Sequence, residues 1–354
     1  MKKLLSVVLL FCMIIMLAAC GKNTESVIDQ ADNSSVDSTD QTNNSPVDST
    51  DQTDNNPADS TDQTDNSPVV STDQTGNSPL NFTDMTGREI SLDGPATKIV
   101  SLAAADCEIL YAIGAEDLII GRGEYCDYPA EIEDIEMVQS GYETNIEQII
   151  ALQPQVLLMS KMAQTVEQIA QIEAAGITVV ESDAQDIDGV YATIEMLGIM
   201  TGKNSEAAAL IESMKETFKE IAEDPVSDGS KTVYFEVSPL EYGLWAAGSS
   251  TFMNEIAEMM GLSNCFSDLE GWASVSEEQV IERDPDYIVT ISMYYGEGAT
   301  PEEEIMARSG WENITAVKNS AVFNLRDNEF SRPGPRLAEG AKMLYDFIKR
   351  IPSE

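Results

Sequence analysis

One stretch of this chain occurs twice. Asn145-Ile146-Glu147-Gln148-Ile149-Ile150, followed by Pro154 and then Val156-Leu157-Leu158, is echoed by Glu277-Glu278-Gln279-Val280-Ile281, Pro285 and Tyr287-Ile288-Val289. The glutamates and the prolines are both 131 residues apart. Each copy reads as a short helix opened by glutamate, then a proline, then a buried strand. A weaker echo sets Glu108-Ile109 and Gly114 against Glu255-Ile256 and Gly261 at an offset of 147. Two halves whose loops differ in length produce such unequal offsets. Single cores stop growing near ~250–300 residues, so a repeated unit in a chain of 354 residues points to two similar lobes.

The folded sequence begins after Asn81. Short β-type runs recur at Ile99–Leu102, Leu118–Gly121, Val156–Met159, Thr178–Val180, Thr232–Val237, Tyr287–Ile291 and Val322–Leu325, with helical patterns between most of them. That alternation predicts an α/β fold with central, mainly parallel sheets flanked by helices. In Asn204 to Glu223, Ala207, Ile211, Met214, Phe218 and Ile221 fall on one helical face, with Asn204 as the expected N-cap. A rod of about 29 Å at 1.5 Å per residue is long enough to run across both lobes. The expected organisation is an N-terminal lobe over 81–203, a bridging helix over 204–223 and a C-terminal lobe over 224–354. A single rigid connection allows small rocking rather than wide closure.

Two segments precede the folded part. Lys2-Lys3, an apolar run from Leu4 to Ala19 and the ending Leu17-Ala18-Ala19-Cys20 have the layout of an export signal over 1–19. The run is short of the ~20 apolar residues a membrane span needs. From Asp37 to Leu80 an eleven-residue unit of the type Asp-Ser-Thr-Asp-Gln-Thr-Asp-Asn-Ser-Pro-Val occurs four times. It has nothing to stack as a core, so residues 20–80 are expected to be a disordered acidic tether. As a flexible coil it reaches on the order of 40–50 Å.

Composition removes several classes of function. With 62 acidic against 20 basic residues and a net charge of −42, the chain lacks the basic clusters that nucleic acid requires. It has no histidine, which excludes Ser-His-Asp and Cys-His catalysis and the H-E-x-x-H zinc motif and disfavours a free-metal site. Gly198 to Asn204 superficially resembles a phosphate loop, but the glycine spacing and the residue after lysine are wrong. Asp186-Ile187-Asp188-Gly189 lacks the remaining ligands of a calcium loop. No enzyme, cofactor or resident metal is expected, and the chain is expected to be a monomer. Cys107, Cys126 and Cys265 remain in the folded part, and an odd number leaves at least one thiol unpaired. Cys126, at the mouth of the expected pocket, is read as a packing residue.

Ligands of α/β proteins bind at the carboxyl ends of parallel strands. Only 6% of residues are aromatic, yet the loops at those ends hold Tyr125, Tyr142, Trp245, Trp272, Tyr294, Tyr295 and Phe330, with Arg332 and Arg336 in the last loop. Tyr and Trp offer large apolar faces with a polar tip, which suits a big, flat, partly polar ligand. Arg122, Arg332 and Arg336 are candidates for a local positive spot.

The run Phe82-Thr83-Asp84-Met85-Thr86-Gly87-Arg88-Glu89, then Lys98 to Leu102, Glu108-Ile109-Leu110, Tyr125-Cys126-Asp127-Tyr128-Pro129, Gly248 to Phe252 and Arg332 to Arg336 resembles the bacterial ABC-importer solute-binding proteins for iron complexes and cobalamin, the class III periplasmic-binding-protein-like family. The resemblance covers residues 82–350. It implies two α/β lobes joined by one long helix, and one surface glutamate per lobe docking on arginines of the permease; those glutamates map onto Glu147 and Glu278. The Leu-Ala-Ala-Cys ending resembles a lipobox, which implies a lipid on Cys20 and an anchor on the outer face of the cell membrane. Tyr125, Trp245 and Trp272 fall where cobalamin-binding relatives place aromatic contacts. Tyr142 sits one position off that pattern and Ser160 replaces an aromatic. A corrinoid is the first expectation for the ligand, because anionic ferric catecholates and haem propionates are repelled by so negative a surface. A ferric siderophore or haem is the alternative.

Overall fold

The central strands of the N-terminal lobe's parallel sheet are buried on both sides. In the computed structural model, which describes residues 79–351 apart from 141–142, 162–164, 293–295, 297 and 326–327, β1 (Leu80–Thr83) and β2 (Glu89–Leu92) form an antiparallel hairpin. β3 (Ile99–Ser101), β4 (Ile119–Arg122), β5 (Val156–Ser160) and β6 (Thr178–Ser182) form a parallel sheet ordered β4-β3-β5-β6. Along β5, Val156 and Leu158 enter one core while Leu157 and Met159 enter another. This is the two-faced burial expected of a parallel sheet covered by helices. The covering helices are α1 (Ala104–Ala112), α2 (Ile146–Leu152), α3 (Val166–Ala174) and α4 (Ile187–Thr201). Cys20, the export signal and the acidic tether up to residue 78 lie outside the described residues, as do Tyr142, Tyr294 and Tyr295; Leu80, expected to end the tether, opens β1 instead.

α5 (Asn204–Glu223) runs from this lobe to the next. Its Ala207, Met214, Phe218 and Ile221 are buried in a core that also takes Ile99 and Leu158 from the first lobe and Phe235 and Leu337 from the second. Asn204 is the first helical residue rather than the cap. Lys203 caps the helix without a side-chain bond, because its carbonyl accepts the Ala207 N–H (2.9 Å). α4 and α5 pack closely where Gly198 meets Ala207; a Cβ built on Gly198 falls 2.5 Å from the Ala207 Cβ. The apparent phosphate loop is thus a helix–helix contact. The Asp186 group is also structural, since Asp186 caps α4 by accepting the Gly189 N–H (2.7 Å).

The C-terminal lobe is built on β7 (Thr232–Ser238), β8 (Trp245–Ala247), β9 (Ser263–Asn264), β10 (Trp272–Ser274), β11 (Tyr287–Thr290) and β12 (Val322–Asn324). The sheet order is β10-β8-β7-β11-β12, with β9 beside the start of β7. β11 pairs in parallel with β7 and β12, whereas β8 pairs antiparallel with both of its neighbours, β7 and β10. All seven strands expected from the pattern are present. β4 begins at Ile119 rather than Leu118 because Glu116–Leu118 form a 3-10 turn. The hairpin β1–β2 and the two- and three-residue strands β8, β9 and β10 are additional. The helices are α6 (Phe252–Met259), α7 (Glu277–Arg283), α8 (Pro301–Met306), α9 (Thr315–Lys318) and α10 (Leu337–Arg350).

Both sequence echoes are the same local structure built twice. α2 and α7 are seven residues long, capped by Asn145 and Ser276, whose side chains accept the N–H of Gln148 and Gln279. Both end on a left-handed residue, Gln153 (φ 51°) and Asp284 (φ 43°), directly before the matching prolines. After α1 and α6 the chain turns at Gly114 (φ 67°) and Gly261 (φ 72°), and Ala115 N–H and Leu262 N–H bond back to Leu110 O and Ala257 O. Positive φ is what glycine supplies at a helix C-terminus.

Candidate ligand cleft and docking surface

Loops at the carboxyl ends of both sheets meet at two places. At the first, the loop after β6 presents Gln185, which accepts the Trp272 indole N–H on its side chain (3.0 Å) and the Phe252 N–H on its backbone (2.9 Å). Glu255 accepts the Ile187 N–H at 2.7 Å, and the Phe252 and Trp272 rings meet edge to face at 5.4 Å. At the second, Arg332 and Arg336 of the C-terminal lobe close on the N-terminal lobe. Arg332 donates to Glu108 (2.8 Å), Asp127 (2.7 Å) and the Tyr125 carbonyl (3.0 Å). Arg336 donates to both oxygens of Glu108 and to Glu329, and its guanidinium lies 3.8 Å from the Tyr128 ring centroid.

These contacts revise the role of three expected ligand residues. The expected positive spot does not form. Arg332 and Arg336 are neutralised by Glu108, Asp127 and Glu329, and Arg122 turns its guanidinium to the carbonyls of Gly123 and Cys126. Two cations facing a carboxylate that is itself 3% exposed hold the lobes together, since charges removed from water must be paired. Phe330 is fully buried and stacks on Phe235 at 5.7 Å; it is a core residue, because the apolar interior claims a ring with no polar tip.

Of the expected aromatics, Tyr125 and Trp245 stay available. Tyr125 is 62% and Trp245 42% exposed. In the β8–β10 ladder Trp245 lies opposite Ser274 and Trp272 opposite Ala247. Facing residues of an antiparallel pair share a face, so both tryptophans are on the same one, as diagonal neighbours about 7–8 Å apart. Tyr128 (45%) and Tyr242 (76%) are exposed as well, in the loops after β4 and β7. Tyr242 was not expected; its only sequence signal is the turn Pro239-Leu240-Glu241-Tyr242-Gly243. The Tyr125 loop is held by Gly123 N–H to Ser101 O (2.9 Å) and Cys126 N–H to Gly123 O (3.2 Å). A separate cavity of about 390 Å³ lies between α1, α5 and the start of α10, lined by Tyr111, Tyr128, Met214 and Arg336 among others. None of Tyr125, Trp245 and Trp272 borders it. Among the described residues no group of three or more Cys, Asp or Glu is placed to hold a metal ion.

On the matching helices, Glu147 and Glu278 are exposed. One turn further on, Ile150 (37%) and Ile281 (38%) are exposed too, and residues three apart share a helix face. Each lobe therefore presents a carboxylate beside an aliphatic side chain, at equivalent positions. The carboxyl of Glu278 is held below its ordinary pKa by its own backbone N–H and by the Ser276 hydroxyl, so it is charged at neutral pH.

Two α/β lobes, one rigid connecting helix and aromatic loops at the sheet ends define a solute-binding protein. The chain belongs to the periplasmic binding protein family, whose model matches residues 99–329. It is 34% identical over 267 residues to an ABC transporter substrate-binding lipoprotein of Bacillus subtilis, covering 74% of this chain and 82% of that one. It is 25% identical over 256 residues to the vitamin B12-binding protein of Vibrio cholerae, covering 72% and 90%. Among solved structures it is similar to a possible iron-binding, periplasmic solute-binding protein of Staphylococcus epidermidis, at 31% identity and a TM-score of 0.61 over 72% of this chain and 99% of that one. The family is one of receptors rather than enzymes.

Proposed function

We propose that this protein is an extracytoplasmic receptor, anchored through a lipid on Cys20, that captures cobalamin or a related corrinoid and delivers it to an ABC-transporter permease. The observation that carries the ligand class is the state of the arginines. With Arg332 and Arg336 spent on Glu108, Asp127 and Glu329, the lobe junction offers no strong cationic hold for propionates or catecholates, in a chain of net charge −42. The exposed rings of Tyr125 and Trp245, with Trp272 beside them, suit a bulky ligand of little net charge. Tyr142, Tyr294 and Tyr295 are proposed to join them. The likeness to vitamin B12-binding proteins supports this reading. The likeness to a possible iron-binding protein favours a second one, a ferric hydroxamate, whose charge is also small.

Docking on the permease is proposed to use Glu147 and Glu278. The paired exposure of Ile150 and Ile281 supports it, since a carboxylate with an adjoining apolar anchor on each lobe matches a partner of twofold construction. The ligand reading is tested by titrating the full chain with cyanocobalamin while following tryptophan fluorescence. Saturable quenching that Trp245→Phe diminishes is expected; an unchanged signal contradicts it.

A further inference from the structure

Cys107, in α1, and Cys126, in the loop after β4, place their sulfurs 2.9 Å apart. That is inside van der Waals contact for two thiols. Both side chains are fully buried and, with Ile132, form a small cluster of their own. Each sulfur also lies 3.7 Å from the carbonyl of Ser101, so two weak donors compete for one acceptor. Burial, and then the neighbouring Cys126 thiol, push the Cys107 pKa well above its ordinary value. Reduced, the pair is crowded and poorly satisfied; joined, it has no donor left to satisfy.

We propose that Cys107 and Cys126 are joined as a disulfide in the exported protein, pinning the Tyr125 loop to α1. The inference rests on the extracytoplasmic location proposed above, since disulfides persist in that environment and not in the cytosol. Two S–H bonds break and one S–S bond forms. The two electrons and two protons pass to the disulfide of a thiol–disulfide oxidoreductase, which leaves as its dithiol. Exchange needs an accessible thiolate, so the bond forms before the loop closes over Ile132 during folding. Cys265 stays out: it is half-buried in the other lobe, with a pKa pushed up to about 11 chiefly by burial.

The position gives the bond a task. Asp127 and the Tyr125 carbonyl, both within one residue of Cys126, take hydrogen bonds from Arg332 across the lobe junction, while α1 carries Glu108, the other partner of Arg332. The bond therefore ties together the two N-terminal segments that carry the three acceptors of that arginine, and fixes the exposed Tyr125 relative to α1. Reduction leaves the fold intact and lets this loop move.

The full chain, isolated from membranes, is alkylated in denaturant and digested with trypsin without reduction. The inference expects residues 99–122 and 123–161 to be recovered as one linked species that separates on reduction, with Cys265 alkylated. The same two peptides recovered separately and alkylated overturn it. Protease shaving of intact cells is run in parallel: an unshaved chain overturns the extracytoplasmic location and the inference with it, whereas a shaved chain with alkylated peptides overturns the disulfide alone. Dithiothreitol is expected to lower the thermal midpoint of the wild type and leave that of the Cys107→Ala/Cys126→Ala double variant unmoved. A wild type that does not respond contradicts the proposal.

Discussion

Glu108 and Arg336 meet in a two-point contact across 228 residues of chain, Nε to Oε2 at 2.9 Å and Nη2 to Oε1 at 2.7 Å. The same carboxylate takes a third hydrogen bond from Arg332. Replacing it by an amide leaves two cations facing a buried neutral group. Removing one partner of a buried pair typically costs about 3–5 kcal/mol. Glu108→Gln is therefore expected to lower the unfolding free energy by roughly that amount, read by urea denaturation, while the milder Asp127→Asn, at an exposed partner, changes it by less than about 1 kcal/mol.

Exposure separates the two kinds of aromatic residue. Phe330→Ala empties a fully buried site and is expected to destabilise the fold by about 3–5 kcal/mol. Trp245→Ala, at an exposed ring, leaves the thermal midpoint nearly unchanged and weakens ligand binding by about 1–3 kcal/mol. Calorimetry of the two variants side by side checks the contrast.

Asp106 is buried with no cation paired to it among the described residues, takes a hydrogen bond from the Ser182 hydroxyl at 2.8 Å, and burial raises its pKa to about 7. The folded state thus holds a proton that the unfolded chain, with an ordinary carboxyl near 3.9, has released. Between pH 4 and 7 the folded form binds more protons, so this group's contribution falls as pH rises. Asp106→Asn keeps an acceptor for Ser182 and removes the penalty. The variant is expected to gain about 4 kcal/mol over wild type at pH 8 and to lose that advantage as the pH approaches 4. A difference independent of pH contradicts the assignment.

A methyl group at position 198 has nowhere to go, with the Ala207 Cβ 2.5 Å away. Gly198→Ala is expected to force α4 and α5 apart and to destabilise by about 1–3 kcal/mol, measured by thermal unfolding.

Charge reversal at both Glu147 and Glu278 is expected to abolish uptake while ligand affinity stays within twofold of wild type. Ile150→Asp with Ile281→Asp is expected to impair uptake in the same way. Lost affinity in the purified variants contradicts a docking role.

Much of the fold was legible because it is periodic. The alternation of apolar runs located seven strands, and the stripe from Ala207 to Ile221 located α5 within one residue of its cap. The repeat around Glu147 and Glu278 was legible because helix capping by Asn145 and Ser276, and the left-handed exits before Pro154 and Pro285, leave a fixed imprint on sequence. Strands such as Trp245-Ala246-Ala247 are too short for any period to show. The site was less legible because pairing across lobes has no sequence spacing: nothing near Arg332 or Arg336 announces that Glu108 neutralises them. Phe330 was misplaced for a similar reason, since a loop residue beside Phe235 is core only once the lobe is closed. The contact of Cys107 with Cys126 likewise depends on the turn at Gly123.

In the proposed function a near-neutral, bulky ligand is held by rings rather than by cations. Isothermal titration of the full chain with cyanocobalamin, a ferric hydroxamate, a ferric catecholate and haem tests it most directly. Tight, saturable binding of cyanocobalamin is expected, with a ferric hydroxamate as the one acceptable substitute, and an affinity that changes little with added salt. Binding of only haem or the ferric catecholate, or of none of the four, would contradict it.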